Sequence, residues 1–209
     1  MSGKEDWSAN LTMAFASPIL RFHVPNADSL NEKLTAESNA LREASPTITH
    51  SKNRFGWHSE KDLMSRSEPG LSQLAGVIPK CVLAATRAIS PQFDPKGFRL
   101  ETEGWININP EHGYNAPHRH SGFMWSGCYY VTVPGVESGP SGCIEFLSPV
   151  IVPGEYRVLG AQCYEDRLTM RPSAGDMLLF PSYLNHWVFP NEASEERITI
   201  AFNATFLPR

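Results

Sequence analysis

Two histidines stand one residue apart in the run Pro117-His118-Arg119-His120. In extended backbone, alternate side chains leave the same face, so both imidazoles project side by side and can share one metal ion. An isolated HxH pair equally suits a strand or loop surface, where the rings only meet solvent. A third candidate is His186, which follows a run from Asp176 to Ser182 that reads as a buried strand meeting a proline-marked turn. Three neutral imidazoles on one side of an ion suit iron, copper, nickel or zinc, and leave the opposite positions open for substrates. The bland alternative for His186 is an edge histidine capped by water.

Arg197 is the next side chain with chemical meaning. In Arg197-Ile198-Thr199-Ile200-Ala201-Phe202, Arg197 and Thr199 share one strand face while Ile198, Ile200 and Phe202 occupy the other. A planar guanidinium donates two parallel hydrogen bonds to a carboxylate, which makes Arg197 a candidate anchor for an acidic ligand. The competing reading is a surface pair with Glu195 or Glu196, an interaction that contributes only ~0–1 kcal/mol.

Supporting residues follow from strand phase. Asn107 and Asn109 lie on a strand leading to the HxH segment, on the same face as Trp105. Buried amides there need partners, and either a bound ligand or nearby backbone would serve, with Asn109 also a candidate for a substrate pocket. Tyr129 and Tyr130 alternate, so only one can face a cavity. Tyr129 is assigned beside Arg197 and Tyr130 to a substrate pocket, with core packing as the alternative for each. The loop 46–62 adds Trp57 and His58 as further pocket candidates, and carries His50. His23 has no partner in view.

The elements that must position these groups divide the chain into a helical and loop N-terminal layer, 1–97, and a β-rich core, 98–209, expected as a single domain. A first strand is read over 13–24, broken at Pro18. Asp28-Ser29 offers an N-cap for a helix ending before Pro46. A second helix runs from about Gly70 to Ser90, with Pro79 implying a kink or a restart. Strands are then read at 98–103, 105–109, 128–134, 142–149, 163–170, 175–181 and 198–206. Short strands at close intervals, punctuated by Pro and Gly, indicate a sandwich or barrel with two helices packed outside.

Bulk composition narrows the function classes. The chain has 209 residues, 41% hydrophobic and 19% charged, with a net charge of -4. No Lys/Arg cluster provides a footprint for nucleic acid or an anionic membrane. No apolar run is long enough to span a bilayer, and the N-terminus lacks the pattern of a secretory signal. Cys81, Cys128, Cys143 and Cys163 are scattered without zinc-type pairing, which fits free thiols in a reducing cytoplasm. A homodimer is the default expectation for assembly.

Taken in order, HRH (118–120), SGCYYV (126–131), GDMLLFPSYLNH (175–186) and ERITIAFN (196–203) resemble the iron- and 2-oxoglutarate-dependent oxygenase superfamily. More narrowly, they resemble a microbial and phage branch of 2-oxoglutarate–Fe(II) oxygenases of unassigned substrate. SKNRFGWHS (51–59) shares that likeness, which extends over about residues 13–206. The resemblance implies a double-stranded β-helix, a cupin-like jelly roll. It also implies a facial triad of HxD/E…H form and, soon after its last histidine, an arginine that holds the cosubstrate's far carboxylate. On that pattern His118 is the first metal ligand, His186 the last, and Arg197 the arginine, eleven residues on.

One position departs from the pattern: His120 stands where Asp or Glu is usual. The exchange raises the site's net charge by one and tilts metal preference toward copper, nickel or zinc, although iron still fits three nitrogens. The implied cofactors are Fe(II), 2-oxoglutarate and O2. The implied reaction hydroxylates an unidentified substrate while 2-oxoglutarate is decarboxylated to succinate. Two rivals stay open, namely a three-histidine cupin-type dioxygenase that uses no oxo-acid, and a non-catalytic jelly-roll binding module.

Overall fold

The computed structural model describes residues 15–46, 52–135 and 138–209. His50 and the first residues of the expected N-terminal strand lie outside them. Two antiparallel sheets form the core. The larger has six strands in the order β1-β9-β6-β11-β4-β3, and the smaller five, β2-β5-β10-β7-β8. In chain order these are β1 (Leu20–His23), β2 (Asn53–Arg54), β3 (Trp57–His58), β4 (Phe98–Asn109), β5 (Tyr114–His118), β6 (Trp125–Thr132), β7 (Ile144–Leu147), β8 (Arg167–Met170), β9 (Asp176–Pro181), β10 (His186–Val188) and β11 (Arg197–Pro208). After β3, successive strands alternate between the two sheets, except that β7 and β8 pair within the smaller one, giving the expected double-stranded β-helix.

Strand periodicity decides which side chains meet which layer. Ile106, Ile108, Tyr129, Val131, Met177, Leu179, Ile198 and Ile200 face outward from the larger sheet and form one core with the helices. Their neighbours in sequence, Tyr130, Leu178 and Phe180, face inward and pack with Ile144, Phe146, Leu184 and Val188. On helix α2 (Pro69–Ile89), Leu71, Leu74, Ile78, Val82 and Ala85 recur at helical spacing and are all buried. Each Leu, Ile or Val among them contributes ~1.5–3 kcal/mol by leaving water. Pro79 neither ends nor restarts α2, because buried Ile78 and Val82 hold the helix together on either side. Trp125 extends this contact by donating from its indole N–H to Thr86 Oγ1 at 2.9 Å.

Helix α1 (Ala27–Ala44) starts one residue before the expected cap. Asn26 occupies the cap position in left-handed backbone, φ 57°, and makes no side-chain cap; Asn tolerates that conformation better than most residues. Asp28 therefore lies in the first turn, where its charge complements the helix dipole. At α2, the cap comes from the other helix. Glu37 accepts from the backbone N–H of Gly70 at 2.8 Å and of Leu71 at 2.9 Å.

Three features bear directly on the site. The two strand segments read at 98–103 and 105–109 are one strand, β4, paired with β11 from Phe98↔Pro208 to Asn109↔Arg197. A turn at 110–113, with His112 at φ 66°, then carries the chain from the larger sheet into β5 of the smaller. Finally, the segment read as a loop around Trp57 contains two short strands. Asn53 pairs with Asn115 in one sheet and Trp57 with Ile108 in the other, so this segment bridges both. No helix among the described residues is long and apolar enough to cross a membrane.

Candidate metal centre

His118 and His186 are directly opposed Cα partners on β5 and β10. His120 lies two residues beyond, past the strand end, where its backbone N–H donates to Ser182 O at 3.0 Å. That bond returns its ring to the other two. Ring centroids are 4.4 Å apart for His118–His186, 4.9 Å for His118–His120 and 5.5 Å for His120–His186. One potential ligand atom from each lies within 4.8 Å of the others.

Backbone carbonyls orient two of the rings. His118 Nδ1 donates to Ala116 O at 2.7 Å, and His186 Nδ1 to Leu184 O at 2.9 Å. Each ring therefore keeps its lone pair on Nε2. Burial, reinforced by the neighbouring imidazole, pulls His186 down to about 3 and His120 down to about 4. His118 is also lowered, chiefly by burial. All three rings are thus neutral near pH 7, the form in which imidazole ligates a metal. The donor set fits a divalent transition ion.

The cleft between the sheets continues from these rings to Arg197. Arg197 is 2% exposed, its Nη1 lies 3.5 Å from Asn109 Oδ1, and its guanidinium carbon sits 5.3 Å from the Tyr130 ring centroid. Its Nε has no hydrogen-bond partner, and neither does the buried Tyr130 hydroxyl. No carboxylate pairs with Arg197 among the described residues; Glu196 instead accepts from Arg42 at 2.6 Å. An unpaired buried guanidinium is costly, so the cleft is suited to an anion. Burial drives the Tyr130 pKa well above its usual value, so its hydroxyl stays protonated and available as a donor. Thr199 and Asn107 line the same cleft.

Five residues are placed differently from the expectation. Tyr129 faces the helices, not Arg197: its hydroxyl donates to Asn31 Oδ1 at 2.7 Å. Tyr130 is the aromatic that faces the guanidinium. Trp57 is buried in the helix-facing core, with its indole N–H bound to Ser45 O at 2.8 Å. His58 stacks behind Trp105 with centroids 5.5 Å apart, so it backs the cleft rather than lining it. Asn109 is likewise occupied, since its amide donates to Asn53 Oδ1 at 3.1 Å while its oxygen faces Arg197.

Sequence reasoning missed two asparagines. Asn53 Nδ2 reaches Asn107 Oδ1 at 3.3 Å and Trp57 O at 2.8 Å, tying the bridging segment to the cleft floor. Gly56 makes that possible, because a Cβ there would fall 2.3 Å from Asn53 Oδ1 and 2.6 Å from Ile108 O. Asn203 lies between His120 and Glu103. Its Nδ2 is 2.9 Å from Glu103 Oε1 and 3.4 Å from His120 Nδ1, and its Oδ1 accepts from Ser126 Oγ at 2.7 Å. Lys61 Nζ completes this chain, 2.7 Å from Glu103 Oε1 and 4.9 Å from the centre of the Trp105 ring. Each lies in a segment that carries the resemblance, Asn53 in SKNRFGWHS and Asn203 in ERITIAFN, but residue type alone did not single them out.

Fold and site together define a class, a double-stranded β-helix with a metal-ready histidine cluster beside a carboxylate-ready arginine. Residues 103–203 match the family model described as "Putative 2OG-Fe(II) oxygenase". The match covers 101 of the 209 residues, and over that stretch the chain is similar to 2-oxoglutarate- and Fe(II)-dependent oxygenases. No curated protein matches the chain by sequence. Among solved structures, a prolyl-4-hydroxylase from Pseudomonas putida is similar at 17% identity and TM-score 0.63, over 91% of this chain and 92% of that one. HygX from Streptomyces hygroscopicus, crystallised with nickel, 2-oxoglutarate and hygromycin B, aligns at 15% identity and TM-score 0.60, over 90% and 83%. The viral collagen prolyl hydroxylase of Paramecium Bursaria Chlorella virus-1, solved with 2-oxoglutarate, aligns at 12% identity and TM-score 0.53, over 89% and 94%.

Proposed function

We propose that the protein binds Fe(II) where His118, His120 and His186 converge and seats the far carboxylate of 2-oxoglutarate on Arg197, hydroxylating a small-molecule or peptide substrate. The observation that carries this reading is Arg197 itself, buried beside the histidines with an unpartnered Nε and no acidic neighbour among the described residues. A carboxylate there would accept from the guanidinium and from the Tyr130 hydroxyl, satisfying both orphaned donors at once. Thr199, on the same face of β11, flanks that position.

Bound Fe(II) would supply the redox chemistry that couples decarboxylation of the oxo-acid to oxidation of the substrate. The chain's own residues orient and enclose. His118 and His186 present Nε2 lone pairs, held in place by Ala116 O and Leu184 O. Asn107, fixed by Asn53, offers an oriented amide between the metal end and the arginine end. Trp105 and Phe180 line the cleft with apolar surface that limits water near the reacting groups. Free thiols at Cys81, Cys128, Cys143 and Cys163 support a cytoplasmic setting for this chemistry.

A cupin-type dioxygenase that needs no oxo-acid would leave Arg197 buried without a counter-ion, so the 2-oxoglutarate reading is preferred over it and over a non-catalytic module. The test is anaerobic calorimetry of 2-oxoglutarate against protein loaded with Fe(II) or Mn(II). Binding that needs both the metal and Arg197, with succinate formed once oxygen is admitted, is the expected result. Absence of binding to the metal-loaded protein would overturn it.

A further inference from the structure

The three imidazoles are not chemically equivalent, and the difference lies in what each Nδ1 faces. His118 and His186 point Nδ1 at carbonyl oxygens, which can only accept. His120 points Nδ1 at the side-chain amide of Asn203. Which end of that amide it meets is decided by the partners on the far side.

Glu103 bears on the choice first. Lys61 Nζ lies 2.7 Å from its Oε1, so the pair is a carboxylate and an ammonium. Hydrogen bonds from Lys61 and Asn203 outweigh the effect of burial and hold the Glu103 pKa below its usual value. A carboxylate only accepts, so the Asn203 atom 2.9 Å from Oε1 must be the amide nitrogen. The amide oxygen then faces Ser126, whose hydroxyl donates to it at 2.7 Å. Rotating the amide by half a turn would set its oxygen against the Glu103 carboxylate. Hence the second N–H of Asn203 is directed at His120 Nδ1, 3.4 Å away. An N–H needs an acceptor, so Nδ1 carries the lone pair and the neutral ring keeps its proton on Nε2.

We propose that His120 serves this site as a hydrogen-bond donor through Nε2–H, not as a third metal-ligating nitrogen, with Asn203 as the positioning residue that fixes its tautomer. This rests on the metal-dependent oxygenase reading above and refines it. Two imidazoles hold the ion. The position that a carboxylate fills in the family's usual pattern is left to an exogenous ligand, an anionic oxygen or a water, which His120 steadies by donating to it. The change from Asp or Glu to His thereby exchanges a charged protein ligand for an open coordination position with a donor beside it.

Two measurements on the whole 209-residue chain test the idea. Long-range 1H–15N correlation spectra of histidine-labelled protein report the tautomer of each ring directly. His118 and His186 are expected as Nδ1–H forms and His120 as the Nε2–H form, with His120 keeping that form when Zn(II) is added. Calorimetry with Mn(II) gives the second readout. Outer partners of metal ligands are worth 10–100-fold in affinity, so His118→Ala and His186→Ala should each lose at least ~100-fold. His120→Ala should lose less than about threefold, and Asn203→Ala, by freeing the tautomer, should bind Mn(II) more tightly than wild type. An Nδ1–H form of His120 in the wild-type protein, or a loss in His120→Ala equal to that in His118→Ala, would overturn the proposal and leave the oxygenase reading standing. Full affinity in His118→Ala and His186→Ala would instead remove the metal centre and both ideas with it.

Discussion

The two faces of the larger sheet are built from the same strands and do opposite work. Outward, Ile106, Ile108, Ile198 and Ile200 meet the helices through contacts that need no direction. Inward, one residue along each time, Asn107, Asn109, Arg197 and Thr199 are equally buried but polar. Buried apolar groups are satisfied by any well-packed neighbour, whereas buried polar groups need specific partners. The inner face meets part of that need internally, through Asn53, Asn109 and Asn203. It leaves Arg197 Nε and the Tyr130 hydroxyl without a partner. On this sheet, the outer face carries the apolar core and the inner face carries polar groups that still want a partner.

The contrast is broken most severely at Arg197 and Ile200, three residues apart on β11. Arg197→Ala should raise the 2-oxoglutarate Kd at least ~30-fold, since truncating one partner of a buried charge pair costs about 2–5 kcal/mol. The same change should leave the metal- and ligand-free protein no less stable in urea, because it removes a buried charge with no counter-ion. Ile200→Ala should do the reverse. A buried Ile→Ala truncation costs ~2–5 kcal/mol of stability, with the 2-oxoglutarate affinity of the folded fraction unchanged. Urea melts and anaerobic calorimetry of the two variants measure all four quantities. Destabilisation of the apo protein by Arg197→Ala would mean that the guanidinium belongs to the fold.

A pH series sharpens the same division. His186 and His120 titrate at about 3 and about 4 in the folded protein, against ~6.5 in an unfolded chain. Between those limits the unfolded state binds protons that the folded state refuses, so stability falls as pH falls. The contribution is fully present above about pH 6.5 and is lost progressively toward pH 3. Metal-free protein should therefore lose urea resistance steeply over that window. His186→Phe should flatten the slope, while Ile200→Ala, a change on the outer face, should lower the whole curve without altering its shape.

How far the sequence revealed these two faces depends on element length. The twelve residues of β11 show their alternation plainly, so the shared face of Arg197 and Thr199 was legible before any coordinates. The histidine cluster was legible from residue types, since HxH and His186 bracket a β-rich run. β10 spans three residues and β2 and β3 two each, too few for a period to register, and only pairing with long neighbours creates them. Asn53 and Asn203 were hidden for another reason. Asparagine in a polar loop or late in a strand reads as turn chemistry, and its role here depends on partners 54 and 100 residues away. The cap on α2 was hidden likewise, because Glu37 supplies it from another helix.

The smallest expected effects separate two adjacent tyrosines whose phase the sequence revealed but whose direction it did not. Both are aromatic and buried, so alternation alone allowed either to face the arginine. Tyr129→Phe removes a hydroxyl that donates to Asn31 at 2.7 Å, and should cost about 1 kcal/mol of stability with 2-oxoglutarate affinity unaltered. Tyr130→Phe removes a hydroxyl that has no partner in the ligand-free protein. An unsatisfied buried polar group is itself destabilising, so this variant should be as stable as wild type or slightly more so. Its 2-oxoglutarate affinity should fall about 3–10-fold, the worth of one hydrogen bond to a carboxylate. Because the two substitutions delete the same atom from neighbouring residues, any general effect of losing a tyrosine hydroxyl cancels between them. A stability loss in Tyr130→Phe with affinity intact would show that this hydroxyl serves the core and that Arg197 holds its ligand alone.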